Sequence, residues 1–197
     1  MITLGEIARS LQGSWLLLKN RPDALKWFDL SLGGFWRSFG VVFLLLPMFW
    51  ASSVAEKKLL LSETGLVESA FPNANFWAAQ FTALGLDWIA LPLLLAALAG
   101  PLGISRFYVP FIAVRNWSSL LISFPYLAVA LLYLAGVVSG GMMVLLSLSI
   151  LVAVLWYRYL IARITLQAGM GLAIGIVMLD IVLSLLIREM VGRIWGA

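Results

Sequence analysis

Five long apolar runs, separated by short polar stretches, dominate the pattern of hydrophobic and polar positions along this 197-residue chain. The runs cover residues 35–54, 76–99, 117–137, 141–157 and 168–187. Each is close to the roughly 20 apolar residues that a helix needs to cross a bilayer. An isolated run in hydrocarbon satisfies its backbone hydrogen bonds only as a helix. The pattern therefore predicts an all-α polytopic transmembrane bundle of about five spans.

Three further segments are too short or too polar to span. Residues 2–18 repeat apolar side chains at steps of three and four, which predicts an amphipathic helix lying in the cytoplasmic interface. The apolar face of this helix comprises Leu4, Ile7, Leu11, Trp15 and Leu18, with Glu6, Arg9 and Ser10 opposite. Residues 56–75 form the most polar stretch and predict a loop with a short helix, and residues 103–115 predict an interfacial connector. We accordingly divide the chain into an interfacial segment, 1–34, and a five-span domain, 35–197.

Composition supports the membrane class and narrows the chemistry. Hydrophobic residues make up 63% of the chain and charged residues only 11%, whereas a soluble domain has about half and a quarter. The chain contains no Cys and no His, which removes disulfides, thiolate nucleophiles and the commonest metal ligand and general base. Without Cys and His, the sequence predicts no cofactor, no metal and no catalytic residue. The thirteen basic residues form no dense cluster, so it predicts no nucleic-acid partner either.

The basic residues indicate an orientation, because cytoplasmic loops are enriched in Lys and Arg. With the N-terminus in the cytoplasm, nine of them lie inside, namely Arg9, Lys19, Arg21, Lys26, Arg37, Arg106, Arg115, Arg158 and Arg163. Four lie outside, namely Lys57, Lys58, Arg188 and Arg193. The distribution predicts a bacterial inner-membrane protein with a cytoplasmic N-terminus and an external C-terminus.

Two carboxylates, Asp87 and Asp180, lie in the middle of predicted spans, where a charge costs several kcal/mol. Both lie at a similar depth from the external side, so they are expected to share one layer. The sequence places no Lys or Arg at that depth, and without a cation both acids are expected to be neutral. The polar groups available as partners are Gln80, Thr82, Tyr126, Tyr133, Ser147, Ser149 and Ser184.

Two interpretations of this polar set stay open. One is a proton or cation pathway formed by Asp87 and Asp180 with Tyr126, Ser147 and Ser149. The other is a pair of protonated acids that hydrogen-bond between helices or to a partner subunit.

Two further sets of residues are candidates for contacts. Gly171 and Gly175 form a G-x-x-x-G at the start of the last span, which favours close helix packing within the chain first and a homodimer seam second. A second set maps to the cytoplasmic ends of spans and is a candidate for anionic lipid headgroups. Its members are Arg106, Arg115, Trp117 and Arg158.

The five spans with an internal N-terminus resemble the architecture of Yip-type membrane proteins. Three short strings, Gly34–Phe39, Arg115–Trp117 and Trp156–Tyr159, resemble those of small inner-membrane proteins of alphaproteobacteria. The Asp-Leu-Tyr-Gly-Pro element of the trafficking members is echoed only by residues 29–33, which lack its Tyr and Pro. The resemblance therefore implies a bacterial origin and an architecture, and it implies no activity.

The primary functional hypothesis is a non-enzymatic inner-membrane protein that serves as an accessory, scaffold or assembly subunit of a larger membrane complex. Its partners would be the lipid bilayer and other membrane-protein subunits. One alternative is a small proton- or cation-coupled carrier that uses Asp87 and Asp180. A second alternative is a lipid-binding or membrane-shaping protein.

Overall fold

Seven α-helices and two short 3-10 turns make up the secondary structure of residues 2–196, the part of the chain that the computed structural model describes. The helices are α1 (Leu4–Leu18), α2 (Leu32–Phe39), α3 (Val41–Thr64), α4 (Asn73–Leu98), α5 (Ser105–Leu134), α6 (Gly140–Thr165) and α7 (Met170–Trp195). The 3-10 turns are Pro22–Trp27 and Glu68–Ala70. No strand occurs within that range, so the predicted all-α fold class is confirmed.

Five of these helical segments are long and apolar enough to cross a membrane, which confirms the predicted number of spans. The first is formed by α2 and α3 together and covers Leu32–Thr64, and the others are α4, α5, α6 and α7. Short connections join consecutive spans, so neighbours in sequence run antiparallel. The beginnings of α3, α5 and α7 therefore lie at the same end of the bundle as the ends of α4 and α6.

The end of the first span differs from the prediction. We expected it to stop at residue 54 and to be followed by a loop, but α3 continues to Thr64 and ends at Gly65, whose φ of 68° suits a helix C-terminus. The two lysines in this last part are accommodated by polar partners. The amine of Lys58 donates hydrogen bonds to the backbone oxygens of Tyr133 and Leu134, and that of Lys57 pairs with Glu68.

The predicted connector at residues 103–115 is wrong. Helix α5 begins at Ser105 and runs without interruption to Leu134, through Pro110 and Pro125. Sequence alone suggested a break because Arg115 is charged, but its charge is compensated inside the bundle, as described below. The third span is consequently longer than expected and carries Arg115 into the interior.

The predicted amphipathic helix α1 is present, and it packs with its polar face inward. Its small and polar residues Ser10, Gly13 and Ser14 are buried against α5 and α6, whereas Leu4 and Trp15 are exposed. A Cβ on Gly13 would lie 2.6 Å from the ring of Phe28, so close contact with the following turn requires glycine. The predicted apolar face is therefore divided: Leu4, Trp15 and Leu18 are exposed, whereas Ile7 and Leu11 pack against the main core.

A cluster of buried hydroxyl groups fixes α1 to the spans. The hydroxyl of Tyr157 on α6 donates to the backbone oxygen of Ser14 at 2.7 Å and contacts Oγ of Ser118 on α5 at 3.1 Å. The Oγ atoms of Ser14 and Ser118 lie 3.3 Å apart. Oγ of Ser14 also donates to the backbone oxygen of Ser10 at 2.8 Å, so these three buried side chains make their hydrogen bonds within the protein.

The main hydrophobic core occupies one half of the bundle, around the first part of α5. We call this the packed half, and define it by residues 41–45, 91–99, 104–120, 154–166 and 173–180, with α1 and α2 packed on it. In the opposite half, which we call the cavity half, the buried hydrophobic residues that the structure describes form two small clusters, one around Ala55, Ala130 and Tyr133 and one around Ala83, Ile187 and Val191. The buried hydrophobic residues of the spans are therefore concentrated in the packed half.

Helix α4 is held to the other spans by a few polar contacts as well as by its packing on α7. The amide of Gln80 donates to Glu56 on α3 at 2.9 Å, and the indole of Trp88 donates to the backbone oxygen of Phe39 at 3.1 Å. The hydroxyl of Tyr108 on α5 donates to the backbone oxygen of Pro92 at 2.9 Å. These contacts join α4 to the spans on its other side and complete a ring of five spans.

Candidate ligand-binding cavity

A cavity of about 620 Å³ lies inside this ring, and residues from all five spans line it. Its volume falls within the roughly 300–1,000 Å³ of ordinary small-molecule sites. Its walls are mostly aliphatic and aromatic, but eleven polar side chains also face it. These are Ser52, Asp87, Arg115, Ser119, Ser123, Tyr126, Ser147, Arg158, Asp180, Ser184 and Arg188.

The strongest polar feature of the cavity is a carboxylate shared by two guanidinium groups. Oδ1 of Asp180 on α7 accepts a hydrogen bond from Nη2 of Arg115 on α5 at 3.0 Å, and Oδ2 accepts from Nη1 of Arg158 on α6. The side chains of Arg115 and Asp180 are 8% and 12% exposed, so this contact lies in a weakly screened environment. Two positive charges against one negative charge leave an excess of one positive charge.

This cluster corrects the sequence-based picture of Asp180. We expected no Lys or Arg at its depth and therefore a neutral acid, whereas the structure pairs it with Arg115 and Arg158. The error arose because both arginines were assigned to the ends of spans. In the structure α5 begins twelve positions before the predicted Trp117 boundary, and Arg158 lies well before the end of α6.

Asp87 lines the same cavity, but its surroundings differ from those of Asp180. Among residues 2–196 no Lys or Arg nitrogen lies within 4.0 Å of its carboxylate, and its buried Oδ1 has no hydrogen-bond partner. Ser184 and Arg188 on α7 lie in its electrostatic surroundings, together with Asp180 and Arg115. The two acids therefore border one cavity, and only Asp180 carries an ion pair.

The cavity ends at the charged cluster on the side of the packed half. Beyond Asp180 and its two arginines, the next void has a volume of only about 10 Å³, which is about the size of one water. Leu91, Phe111 and Ile161 border that small void, and they belong to the main core. The arginines and Asp180 thus form the inner end of the cavity, against densely packed helices.

The other predicted polar residues divide into two groups. Tyr126 and Ser147 line the cavity, as the hypothesis of a shared polar site requires. Ser149 does not line it: this residue is exposed on α6 and donates to the backbone oxygen of Leu145 at 2.9 Å. The two serines are separated because they are two positions apart and therefore point to different faces of the helix.

The predicted lipid-headgroup residues also divide. Arg115 and Trp117 are 7% and 1% exposed within the bundle, which is incompatible with headgroup contact, and Arg158 is engaged by Asp180. Burial follows from the continuity of α5 through this region. Arg106 is exposed and lies over the ring of Phe107 at 4.4 Å, and its role at headgroups stays a prediction.

The predicted intramolecular packing at Gly171 and Gly175 is wrong. Both residues are exposed, and a Cβ added at either position would meet no atom within 4 Å. The buried residues at the start of α7 are Ala173 and Ile176, which lie on another face of the helix. The alternative of a homodimer seam at these glycines stays a prediction.

Sequence reasoning missed Ser119, Ser123 and Arg188 as cavity residues, although a signal was present. On α5 the polar residues Arg115, Ser119 and Ser123 recur every four positions and therefore share one face. On α7 the same spacing relates Asp180, Ser184 and Arg188. The other feature of this region, the buried hydroxyl cluster of Ser14, Ser118 and Tyr157, has no such regular spacing, because its members come from three distant helices.

Comparisons with known proteins assign no family and no function to this cavity. No protein-family model matches the chain, and neither a curated protein nor a solved structure matches it. Within residues 2–196 no group of three or more acidic, His or Cys side chains is arranged to hold a metal ion. The cavity and the charged residues that line it are therefore the features that bear on function.

Proposed function

We propose that this chain is a non-enzymatic, multi-pass protein of the bacterial inner membrane that binds a small ligand with an anionic group inside the bilayer. The observation that carries this proposal is the excess positive charge at the inner end of the cavity, where Arg115 and Arg158 share Asp180. A ligand oxygen at this position would be attracted by two guanidinium groups while the apolar walls contact the remainder of the molecule.

Burial strengthens the electrostatic part of this argument. Charges in a weakly screened interior interact much more strongly than charges in water, so one uncompensated positive charge creates a favourable position for an anion. Nε of Arg115 is buried and has no hydrogen-bond partner within residues 2–196, so this guanidinium group is only partly satisfied by Asp180. An anionic oxygen beside the guanidinium groups would compensate the excess positive charge.

This arrangement favours an anionic ligand over the proton- or cation-coupled carrier that the sequence suggested. That carrier would use both Asp87 and Asp180 as cation ligands, but the carboxylate of Asp180 is occupied by two arginines. The accessory-subunit role and the membrane-shaping role stay predictions. Co-purification of stoichiometric partners tests the first, and lipid retention after removal of residues 1–20 tests the second.

The proposal is tested with two probes of equal length and opposite charge, hexanoate and hexylammonium. Purified protein is titrated with each, and the shift in unfolding temperature is measured, since a ligand that binds only the folded state stabilises it. We expect hexanoate to stabilise the protein more than hexylammonium does.

The matched control is Ser123→Trp, which places a large side chain in the cavity and leaves Arg115, Arg158 and Asp180 unchanged. Ser123 lies on the wall formed by α5. The hexanoate effect should be lost in this variant. Equal effects of the two probes, or an effect that persists in Ser123→Trp, would contradict the proposal.

The proposed orientation is checked separately. With a cytoplasmic N-terminus and an external C-terminus, a reporter that is active only in the cytoplasm gives signal from an N-terminal fusion and none from a C-terminal fusion. The reverse pattern, or signal from both ends, would contradict the orientation and leave the cavity argument unchanged.

A further inference from the structure

Two residues that line the cavity each carry a buried polar atom without a hydrogen-bond partner, and the two atoms have opposite requirements. Nε of Arg115 on α5 is a buried donor without an acceptor. Oδ1 of Asp87 on α4 is a buried acceptor without a donor. Buried polar atoms in proteins are nearly always paired, and leaving one unpaired costs about 1–3 kcal/mol. A ligand in the cavity that carries both an acceptor and a donor would offer these two side chains the partners that they lack within residues 2–196.

The guanidinium group of Arg115 and the carboxylate of Asp87 do not form an ion pair with each other. No nitrogen of Arg115 or Arg188 lies within 4.0 Å of the Asp87 carboxylate, although both arginines contribute to its electrostatic surroundings. Instead Arg115 uses Nη2 to bind Asp180. The carboxyl group of Asp87 and the positive excess at the cluster of Arg115, Arg158 and Asp180 thus remain separate within the same cavity.

A purely anionic ligand would satisfy only one side of this arrangement. Its charge would be attracted by the arginines, but it would leave Oδ1 of Asp87 without a donor and would bring a second negative charge near that carboxylate. The inner cluster has a net charge of one positive, Arg188 adds a further positive charge to the lining, and Asp87 supplies one negative charge when a cationic group of the ligand stabilises its ionised form. A ligand that carries both charges matches this lining at both ends.

Resting on the proposed function, we propose that the ligand is zwitterionic, with its anionic group at Arg115 and Arg158 and an ammonium group at Asp87. The ammonium group donates hydrogen bonds to the Asp87 carboxylate, and Ser184 lies beside the same carboxylate. The apolar walls contact the hydrocarbon part of the ligand, whether it lies between the two charged groups or extends beyond them. The chemistry is shared by a free amino acid and by the head of a phosphatidylethanolamine lipid.

The inference is tested with a series of linear ω-amino carboxylates, from two to six carbons, each compared with the unsubstituted carboxylate of the same length. Binding is measured as before, on the wild-type protein and on Asp87→Asn. We expect at least one amino carboxylate to bind about tenfold more tightly than its matched carboxylate, a gain typical of one added charge-assisted contact. In Asp87→Asn this gain should fall to about onefold while carboxylate binding persists.

The outcomes separate the two proposals. If carboxylates bind and no amino carboxylate gains affinity, or if the gain persists in Asp87→Asn, the zwitterion inference is wrong and the anion-binding function stands. If no probe in the series binds, both fail. Glu189→Gln, which alters an exposed carboxylate that pairs with Arg193 and does not line the cavity, is the matched control and should retain the full gain.

Nanodiscs that contain equal amounts of phosphatidylethanolamine and phosphatidylglycerol identify the source of the zwitterion. Enrichment of phosphatidylethanolamine by the wild-type protein, lost in Asp87→Asn, assigns the site to the lipid head. Equal retention of the two lipids, with binding of an amino carboxylate, assigns it to a soluble molecule. Enrichment of the anionic phosphatidylglycerol would count against the inference.

Discussion

The two halves of the bundle are built from the same five spans but differ in how their polar residues are used. In the packed half, Ser14, Ser118 and Tyr157 hydrogen-bond to one another and fix α1 onto the spans. In the cavity half, polar side chains such as Tyr126 and Ser147 face a space of about 620 Å³. Polar residues of one chain thus hydrogen-bond to each other at one depth and line a cavity at another, where we propose that they bind a ligand.

The boundary between the halves is the cluster of Arg115, Arg158 and Asp180, which belongs to both. Its members are buried by the packed half and also line the cavity. Substitutions on the packed side of this boundary should therefore reduce stability, and substitutions on the cavity side should change binding with little effect on stability.

The largest effect is expected at the boundary itself. Asp180→Asn removes the charge that compensates Arg115 and Arg158, and a buried ion pair that loses one partner costs about 3–5 kcal/mol. Unfolding by denaturant in detergent micelles measures this loss. The control is Glu189→Gln, because the exposed pair of Glu189 with Arg193 is worth no more than about 1 kcal/mol. Equal stability of the two variants would show that the pairing of Asp180 with the two arginines does not stabilise the fold.

Two isoleucines on α5 compare the halves directly. Ile112 is fully buried in the packed half, and Ile112→Ala should cost about 2–5 kcal/mol because it leaves a void. Ile122 borders the cavity, and Ile122→Ala should cost about 1 kcal/mol because fewer contacts are lost. The same unfolding measurement applies to both. A larger loss of unfolding free energy in Ile122→Ala than in Ile112→Ala would contradict the proposed difference between the halves.

A pair of tyrosines tests the polar residues in the same way. Tyr157→Phe removes a buried donor and leaves Ser14 and Ser118 with unmet hydrogen bonds, so we expect a loss of about 1–3 kcal/mol. Tyr126→Phe, at the cavity wall, should stay within about 0.5 kcal/mol of the wild type. Thermal unfolding of the two variants measures both losses of stability. Similar losses in Tyr157→Phe and Tyr126→Phe would contradict the proposed difference between the packed half and the cavity half.

The smallest effect concerns the polar contacts beside the packed half, at Asp29. Hydrogen bonds from the side chain and backbone of Ser31, together with Arg37, hold the pKa of Asp29 below its ordinary value. A lowered pKa in the folded state stabilises the protein above the unfolded-state value of about 4, and this contribution declines below that value and is lost as the pH falls through the lower pKa of the folded state. Stability between pH 5 and pH 3, roughly the range of this titration, should decline less in Asp29→Asn. Identical slopes in the two proteins would show that Asp29 does not contribute.

Hydropathy was sufficient to predict the class of the fold, because each run of about 20 apolar residues in a membrane must form a helix. It was less informative about the boundaries. Lys57 and Lys58 suggested a loop, yet their amines find partners while α3 continues to Thr64. Arg115 suggested a connector, yet its charge is compensated by a residue 65 positions later in the chain.

The candidate site was predicted only in part. Asp87 and Asp180 stood out because charged groups in the middle of spans are rare, and both line the cavity. The pairing of Asp180 with Arg115 and Arg158 depends on the rotation and depth of three helices, which side-chain packing decides and hydropathy does not report. The spacing of Arg115, Ser119 and Ser123 by four positions was the available signal for a polar face on α5.

The central claim is that the cavity half admits a charged molecule and favours an anion. Since the chain contains no Cys, a single substitution creates a unique thiol. Ser123→Cys places it at the cavity wall, Ser118→Cys in the packed half, and Ser149→Cys on the exposed face of α6. Each variant is labelled with an anionic and a cationic methanethiosulfonate of similar size, and the reaction rates are measured.

We expect Ser123→Cys to react faster than Ser118→Cys, which is buried, and faster than Ser149→Cys, because an exposed position in the middle of a span faces lipid, which excludes charged reagents. At residue 123 the anionic reagent should react faster than the cationic one. Arg115, Arg158 and Arg188 outnumber Asp87 and Asp180 around the cavity, which gives the field that favours the anion. A thiol at residue 123 as unreactive as the one at residue 118, or a faster reaction with the cationic reagent, would contradict the central claim.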